Sequence, residues 1–163
     1  AMYENSSIFI TNNLITEEDM LDDLIHEVAH SIEEIYGELI YADQKIEREF
    51  LLKRKQLWQI LKQEGYNYDF SAFLETDYRP TFDNFLYMDV GYPMLSMLTV
   101  NLFYSPYAAT SMSEYFSNAF EAFFMKENIK RLESISPLAY KKIVQLLDLE
   151  TQKRGEINDN DHF

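Results

Sequence analysis

The chain has 163 residues, of which 47% are apolar and 26% charged, so we expect one folded domain with a substantial core. It contains no Cys, which excludes disulfides, thiolate metal sites and cysteine nucleophiles, and its 15% of aromatic residues argues against a disordered chain. Its 28 acidic and 14 basic residues give a net charge of -14, which disfavours nucleic acid and anionic membrane surfaces as partners.

A short strand and two long helices are the first predicted elements. Residues 6–12 form a β-prone apolar run flanked by Ser and Asn, and they predict one strand. Thr16 begins a helix-start pattern, after which apolar residues recur every three or four positions as far as Leu39. Apolar residues that alternate with charged ones then predict a second helix over 43–64, ended by Gly65.

The middle of the chain lacks a sustained periodicity. Residues 66–112 are rich in Tyr and Phe and are interrupted by three Pro, so we expect short helices and irregular segments. The uncharged run 90–113 is long enough to span a bilayer, but its Pro and polar residues favour folded-over chain instead of a transmembrane helix. We therefore expect a soluble protein, either cytoplasmic or secreted as an effector.

Two further helices complete the predicted domain. The third is predicted over 113–128, and the fourth from Pro137, a suitable first helical residue, to about Leu149. The remaining residues, 151–163, read as a polar, frayed tail. The sequence thus predicts one mostly helical domain over 1–150.

The first predicted helix carries the sequence His26-Glu27-Val28-Ala29-His30. Residues four apart on a helix differ by about 40° in rotation, so both imidazoles can reach one ion. Glu27 points about 100° away from His26, where it can contact a water on that ion. This is the H-E-x-x-H arrangement of zinc peptidases, and neutral imidazole suits Zn²⁺. The competing interpretation is a pair of surface His on a helix.

A zinc site of this type needs a third protein ligand. The chain has no Cys, and its one further His, His162, belongs to the polar tail, so we expect a carboxylate from a separate helix. The best-placed candidate is Glu114, which begins the third predicted helix and precedes a strongly apolar face. Glu121 and Glu127 are the competing candidates.

The chain resembles one family of zincin metallopeptidases in two segments. These are the H-E-x-x-H motif and the run from Tyr107 to Phe120, YAATSMSEYFSNAF, which are similar to the anthrax lethal factor and Pro-Pro endopeptidase family. In that family a Tyr stands seven residues before the Glu that completes the zinc site, and an aromatic-rich helix follows. Tyr107 and Glu114 have that spacing.

The resemblance implies a function and a role for each matching residue. His26, His30 and Glu114 would bind Zn²⁺. Glu27 would be the general base, and the Tyr107 hydroxyl would stabilise the oxyanion. The implied activity is zinc-dependent hydrolysis of a peptide or protein substrate by a water activated at the metal. The implied fold is a mostly α, α+β zincin-like domain with a short edge strand or a reduced sheet.

The chain also departs from the family. Asn118 stands four residues after Glu114, where the family has an acidic residue that contacts the site. Residues 76–106 resemble an insertion, and 66–112 would line the substrate pocket. Two other functions therefore stay open: a non-catalytic zincin-fold binding or structural module, for example phage-associated, and a zinc hydrolase of non-peptide amides. The sequence makes no prediction of oligomeric state.

Overall fold

The structure is a computed structural model that describes residues 1–10, 16–126 and 128–160.

The first element is a small β-hairpin. Strands β1 (Met2–Glu4) and β2 (Ser7–Phe9) pair antiparallel, with Tyr3 opposite Ile8. The two turn residues Asn5 and Ser6 both have positive φ, as a tight hairpin turn requires. The strand predicted over 6–12 corresponds to β2, and its last two positions lie outside the described residues.

Two long helices follow the hairpin, as predicted. Helix α1 spans Glu17–Tyr41 and helix α2 spans Lys45–Gln63. The Thr16 side chain accepts a hydrogen bond from the backbone N–H of Asp19 at 3.0 Å, and the Asp19 carboxylate accepts one from the backbone N–H of Thr16. These reciprocal bonds cap two free N–H groups at the start of α1. Gly65, with a φ of 90°, follows the end of α2.

The middle of the chain forms short helices joined by irregular segments, which confirms the prediction for 66–112. In chain order, these are a 3₁₀ helix (Phe70–Leu74), α3 (Pro80–Asn84), a π-helical segment (Phe85–Val90), α4 (Tyr92–Leu98) and a second 3₁₀ helix (Tyr107–Ala109). Within the described ranges, no helix is both long and apolar enough to cross a membrane.

Three helices complete the domain: α5 (Met112–Met125), α6 (Ile129–Ile135) and α7 (Pro137–Asn160). The helix predicted over 113–128 is α5, which ends earlier because Lys126 adopts a left-handed conformation. Asn128 then caps α6, a helix that the sequence did not predict. Helix α7 continues past its predicted end near Leu149, where several good helix formers follow. The predicted mostly helical chain with a small sheet is confirmed.

A buried arginine on α2 fixes the segment that leads into α5. The Arg54 guanidinium, 1% exposed, donates hydrogen bonds to the carbonyl oxygens of Ala109 at 2.7 Å and Ala72 at 2.5 Å. Its carbon lies 3.9 Å from the centroid of the Phe82 ring. These bonds join α2 to the two 3₁₀ helices, Phe70–Leu74 and Tyr107–Ala109, and the second of these leads directly into α5.

Candidate metal centre

Two helices bring the three predicted ligands together. His26 and His30 project from α1 towards α5, where the Glu114 carboxylate meets both rings. Nε2 of His26 lies 3.0 Å from Oε2 of Glu114, and Nε2 of His30 lies 3.7 Å from Oε1. One ligand atom from each residue lies within 4.8 Å of the others. Two imidazoles and one carboxylate form a donor set that suits Zn²⁺ and leaves a fourth coordination position for water.

The start of α5 holds Glu114 in position. The Ser111 side chain caps this helix and accepts a hydrogen bond from the backbone N–H of Glu114 at 3.1 Å. A carboxylate in the first turn is also favoured by the positive end of the helix dipole. The Glu114 side chain is 15% exposed, so it is accessible to an ion from solvent.

A second carboxylate lies behind the His26 ring. Nδ1 of His26 is 3.0 Å from Oε2 of Glu121, on the opposite side of the ring from Glu114. Glu121, a competing candidate for the third ligand, thus contacts the nitrogen that faces away from Glu114. A carboxylate in this position fixes the orientation and tautomer of a metal-binding imidazole. Glu127 and His162 lie outside the described residues.

His30 has an equivalent partner that the sequence analysis missed. Nδ1 of His30 is 3.1 Å from Oε2 of Glu33, one turn further along α1. Glu33 also accepts hydrogen bonds from the hydroxyls of Tyr41 and of Ser113, the latter at 2.7 Å. The i, i+3 spacing from His30 was the available signal, but the sequence of a helix rich in Glu does not single out Glu33.

The hydrogen bonds to carboxylates favour the protonated form of both rings in the metal-free chain. Burial lowers the pKa of His26, but the hydrogen bonds to Glu114 and Glu121 outweigh it and raise that pKa to about 10. Burial also lowers the pKa of His30, but the hydrogen bond to Glu33 and the charge of Glu114 outweigh it, so the pKa of this ring is raised as well. Since a metal binds neutral imidazole, metal binding releases these protons.

Glu27 and Tyr107 line the same cleft as the three candidate ligands. The cleft has a volume of about 410 Å³, and the described residues of its walls include five carboxylates and neither Lys nor Arg. The remaining lining residues are His26, His30, Ser105, Tyr107 and Asn118. Tyr107 lies on the 3₁₀ helix before α5 and is 36% exposed. The structure thus gathers all five sequence-predicted site residues around one opening.

The carboxylate of Glu27 has a hydrogen bond within the chain. Its Oε2 accepts a hydrogen bond from the backbone N–H of Tyr3 in β1 at 2.6 Å.

The Tyr107 hydroxyl is protonated. Burial first, and then neighbouring acidic groups led by Glu114, raise the pKa of Tyr107 to about 12. The Tyr107 phenol therefore keeps its proton at neutral pH and can donate a hydrogen bond.

Asn118 lies on α5 between Glu114 and Glu121, and it is 6% exposed. Among the described residues, its Oδ1 has no hydrogen-bond partner. Asn118 therefore gives the cleft a neutral amide, whereas Glu121, three residues later, contacts Nδ1 of His26. The sequence indicated Glu121 only as a competing ligand.

Comparison of the whole chain with known proteins adds nothing to this geometry. The comparisons with protein families, with characterised proteins and with solved structures returned no match. The geometry of the cleft and the resemblance of its two segments are therefore the basis of the functional interpretation.

Proposed function

We propose that the protein is a zinc-dependent endopeptidase of the zincin type, with His26, His30 and Glu114 as the metal ligands. The observation that carries the proposal is the approach of Nε2 from both imidazoles to one carboxylate that is 88 residues from His26 in sequence. A pair of surface His on a helix does not require such a partner. The carboxylates of Glu121 and Glu33 behind the two rings add support, because metal-binding imidazoles usually have them.

The chemistry follows from the residues around the cleft. When bound, zinc supplies a Lewis acid that lowers the pKa of a water and polarises a peptide carbonyl. Glu27 acts as the general base that takes the proton of the attacking water and passes it to the departing amine. The Tyr107 hydroxyl donates a hydrogen bond to the oxyanion that forms. Glu121 and Glu33 hold the imidazoles in orientation.

A second candidate is a non-catalytic metal-binding module of the same fold. The hydrogen bond from Tyr3 favours this candidate, because it engages a Glu27 oxygen that a general base needs. In a catalytic chain, the Tyr3 N–H would have to move away from this oxygen before Glu27 could act as the base.

The two candidates are separated by a cleavage assay with matched variants. The zinc-loaded chain should cleave members of a random peptide library, whereas Glu27→Gln should bind zinc normally and cleave none. Glu38→Gln is the control, since Glu38 is an exposed carboxylate on α1 outside the cleft. Cleavage by Glu27→Gln at the wild-type rate would remove Glu27 from the mechanism. Zinc binding without cleavage by the wild-type chain would favour the non-catalytic module.

A further inference from the structure

We propose that strand β1 blocks the candidate general base of the cleft: it is held on the Glu27 carboxylate and is displaced when a peptide substrate binds. This inference rests on the proposed function, since it concerns the regulation of the same site. It predicts an enzyme whose measured activity is limited by its own amino-terminal hairpin.

The hairpin is held to α1 by hydrogen bonds to two acidic residues of that helix. The backbone N–H of Tyr3 donates to Oε2 of Glu27 at 2.6 Å. The Tyr3 hydroxyl donates to Oε2 of Glu34, and the Ser6 hydroxyl lies 3.4 Å from the other oxygen of the same carboxylate. Glu34 is two helical turns beyond Glu27, so the hairpin lies along the helix over that distance.

The register of the hairpin explains why this N–H is free to reach Glu27. Met2 pairs with Phe9, Tyr3 with Ile8, and Glu4 with Ser7. In an antiparallel pair, opposed residues alternate between those that exchange hydrogen bonds and those that do not. The two-residue turn is closed by a hydrogen-bonded pair, Glu4 and Ser7, so the next pair, Tyr3 and Ile8, is of the second kind. Strand β1 therefore binds α1 without giving up its pairing with β2.

The hydrogen bond from β1 uses an oxygen that a general base needs for catalysis. A general base in peptide hydrolysis receives a proton from water and then delivers it to the amide nitrogen of the broken bond. The Tyr3 N–H donates to a Glu27 oxygen that the attacking water would otherwise use. The water and β1 thus compete for the same oxygen, and the strand lowers the fraction of chains in which Glu27 is accessible.

Two substitutions of Tyr3 separate the backbone contact from the side-chain contact. Tyr3→Pro removes the N–H that binds Glu27, at a position where the pairing with β2 does not use it. Tyr3→Phe keeps this N–H and loses only the hydroxyl bond to Glu34. With zinc-loaded chains, we expect kcat/KM for a cleaved library peptide to rise about tenfold in Tyr3→Pro and to stay near the wild-type value in Tyr3→Phe.

Amide hydrogen exchange tests the contact without any need for activity. In the metal-free wild-type chain the Tyr3 amide should exchange slowly, and Glu27→Ala should make it exchange at the rate of an open strand. An unprotected Tyr3 amide in the wild-type chain would overturn the proposal, as would equal kcat/KM in Tyr3→Pro and Tyr3→Phe. If no chain cleaves any peptide, the proposed function fails, and the blocking role fails with it even where Tyr3 is protected. Cleavage by all chains at one rate would refute the blocking role alone.

Discussion

Oε2 of Glu121 lies 3.0 Å from Nδ1 of His26, while Oε2 of Glu114 lies 3.0 Å from Nε2 of the same ring. One imidazole is thus held between two carboxylates that come from the same helix, seven residues apart. Of these two carboxylates, Glu114 is the one that also lies near His30. This makes Glu114 the candidate ligand, whereas Glu121 orients the His26 ring. This difference between two similar residues leads to the first prediction.

Glu121→Gln should lower zinc affinity by about 10–100-fold, because the substitution removes the charge that orients His26 and makes it a better ligand. Glu114→Gln should remove most zinc binding. Competition with a metal chelator of known affinity measures both effects. Glu133→Gln, an exposed carboxylate on α6, is the control. If Glu121→Gln and Glu114→Gln lost zinc affinity equally, the assignment of Glu114 alone as the third ligand would be wrong.

Tyr107→Phe should lower peptide turnover by about two orders of magnitude, since one hydrogen bond to the oxyanion is lost. Zinc content should not change, because Tyr107 is not among the candidate ligands. Steady-state kinetics with a cleaved library peptide provide the measurement, with Tyr87→Phe as the control at an exposed tyrosine. Unchanged turnover in Tyr107→Phe would assign this residue to packing.

Arg54→Met should destabilise the fold by about 3 kcal/mol, because buried carbonyl groups then lose their hydrogen-bond donor. The carbonyls of Ala72 and Ala109 are the groups affected. Urea denaturation of the metal-free chain gives the free energy of unfolding, and the exposed Arg79 provides the control variant Arg79→Met. A loss no larger than that of the control would show that Arg54 does not hold the segment before α5.

The stability of the metal-free chain should fall as pH rises from about 6.5 towards 10. The carboxylates of Glu114 and Glu121 overcome the effect of burial and raise the pKa of His26 from 6.5 to about 10 in the folded chain. Protonated His26 therefore stabilises the fold fully below about pH 6.5, and this contribution is lost as pH approaches the folded pKa. Urea denaturation at several pH values, compared with His26→Gln, isolates the effect. A wild-type stability that rises relative to His26→Gln over this range would contradict the prediction.

The elements that the sequence predicted well have strong local signals. Thr16 and Asp19 cap α1 within four residues, and Gly65 ends α2 with the positive φ that glycine readily adopts. The H-E-x-x-H motif is equally local, since it needs only one helix. Helix α6 has only seven residues, too few for a sustained periodicity, and its start depends on the Asn128 cap.

The parts of the site that the sequence did not predict involve contacts between distant residues. Glu33 contacts His30 on the same helix, but it also accepts a hydrogen bond from Ser113, which comes from α5. The contact between Tyr3 and Glu27 joins the hairpin to α1 through a backbone N–H. Because every residue except Pro has this group, the residue type at position 3 does not indicate the contact. Periodicity and motif spacing describe one element at a time, so neither indicates these contacts.

Zinc content of the purified chain, measured by mass spectrometry after reconstitution at neutral pH, tests the central claim most directly. The account predicts one zinc per chain in the wild type and its loss in His30→Ala. His162→Ala should retain it, as the control for removal of the remaining His of the chain. A wild-type chain without zinc, or one whose zinc survives in His30→Ala, would contradict the assignment of His26, His30 and Glu114 as a metal centre.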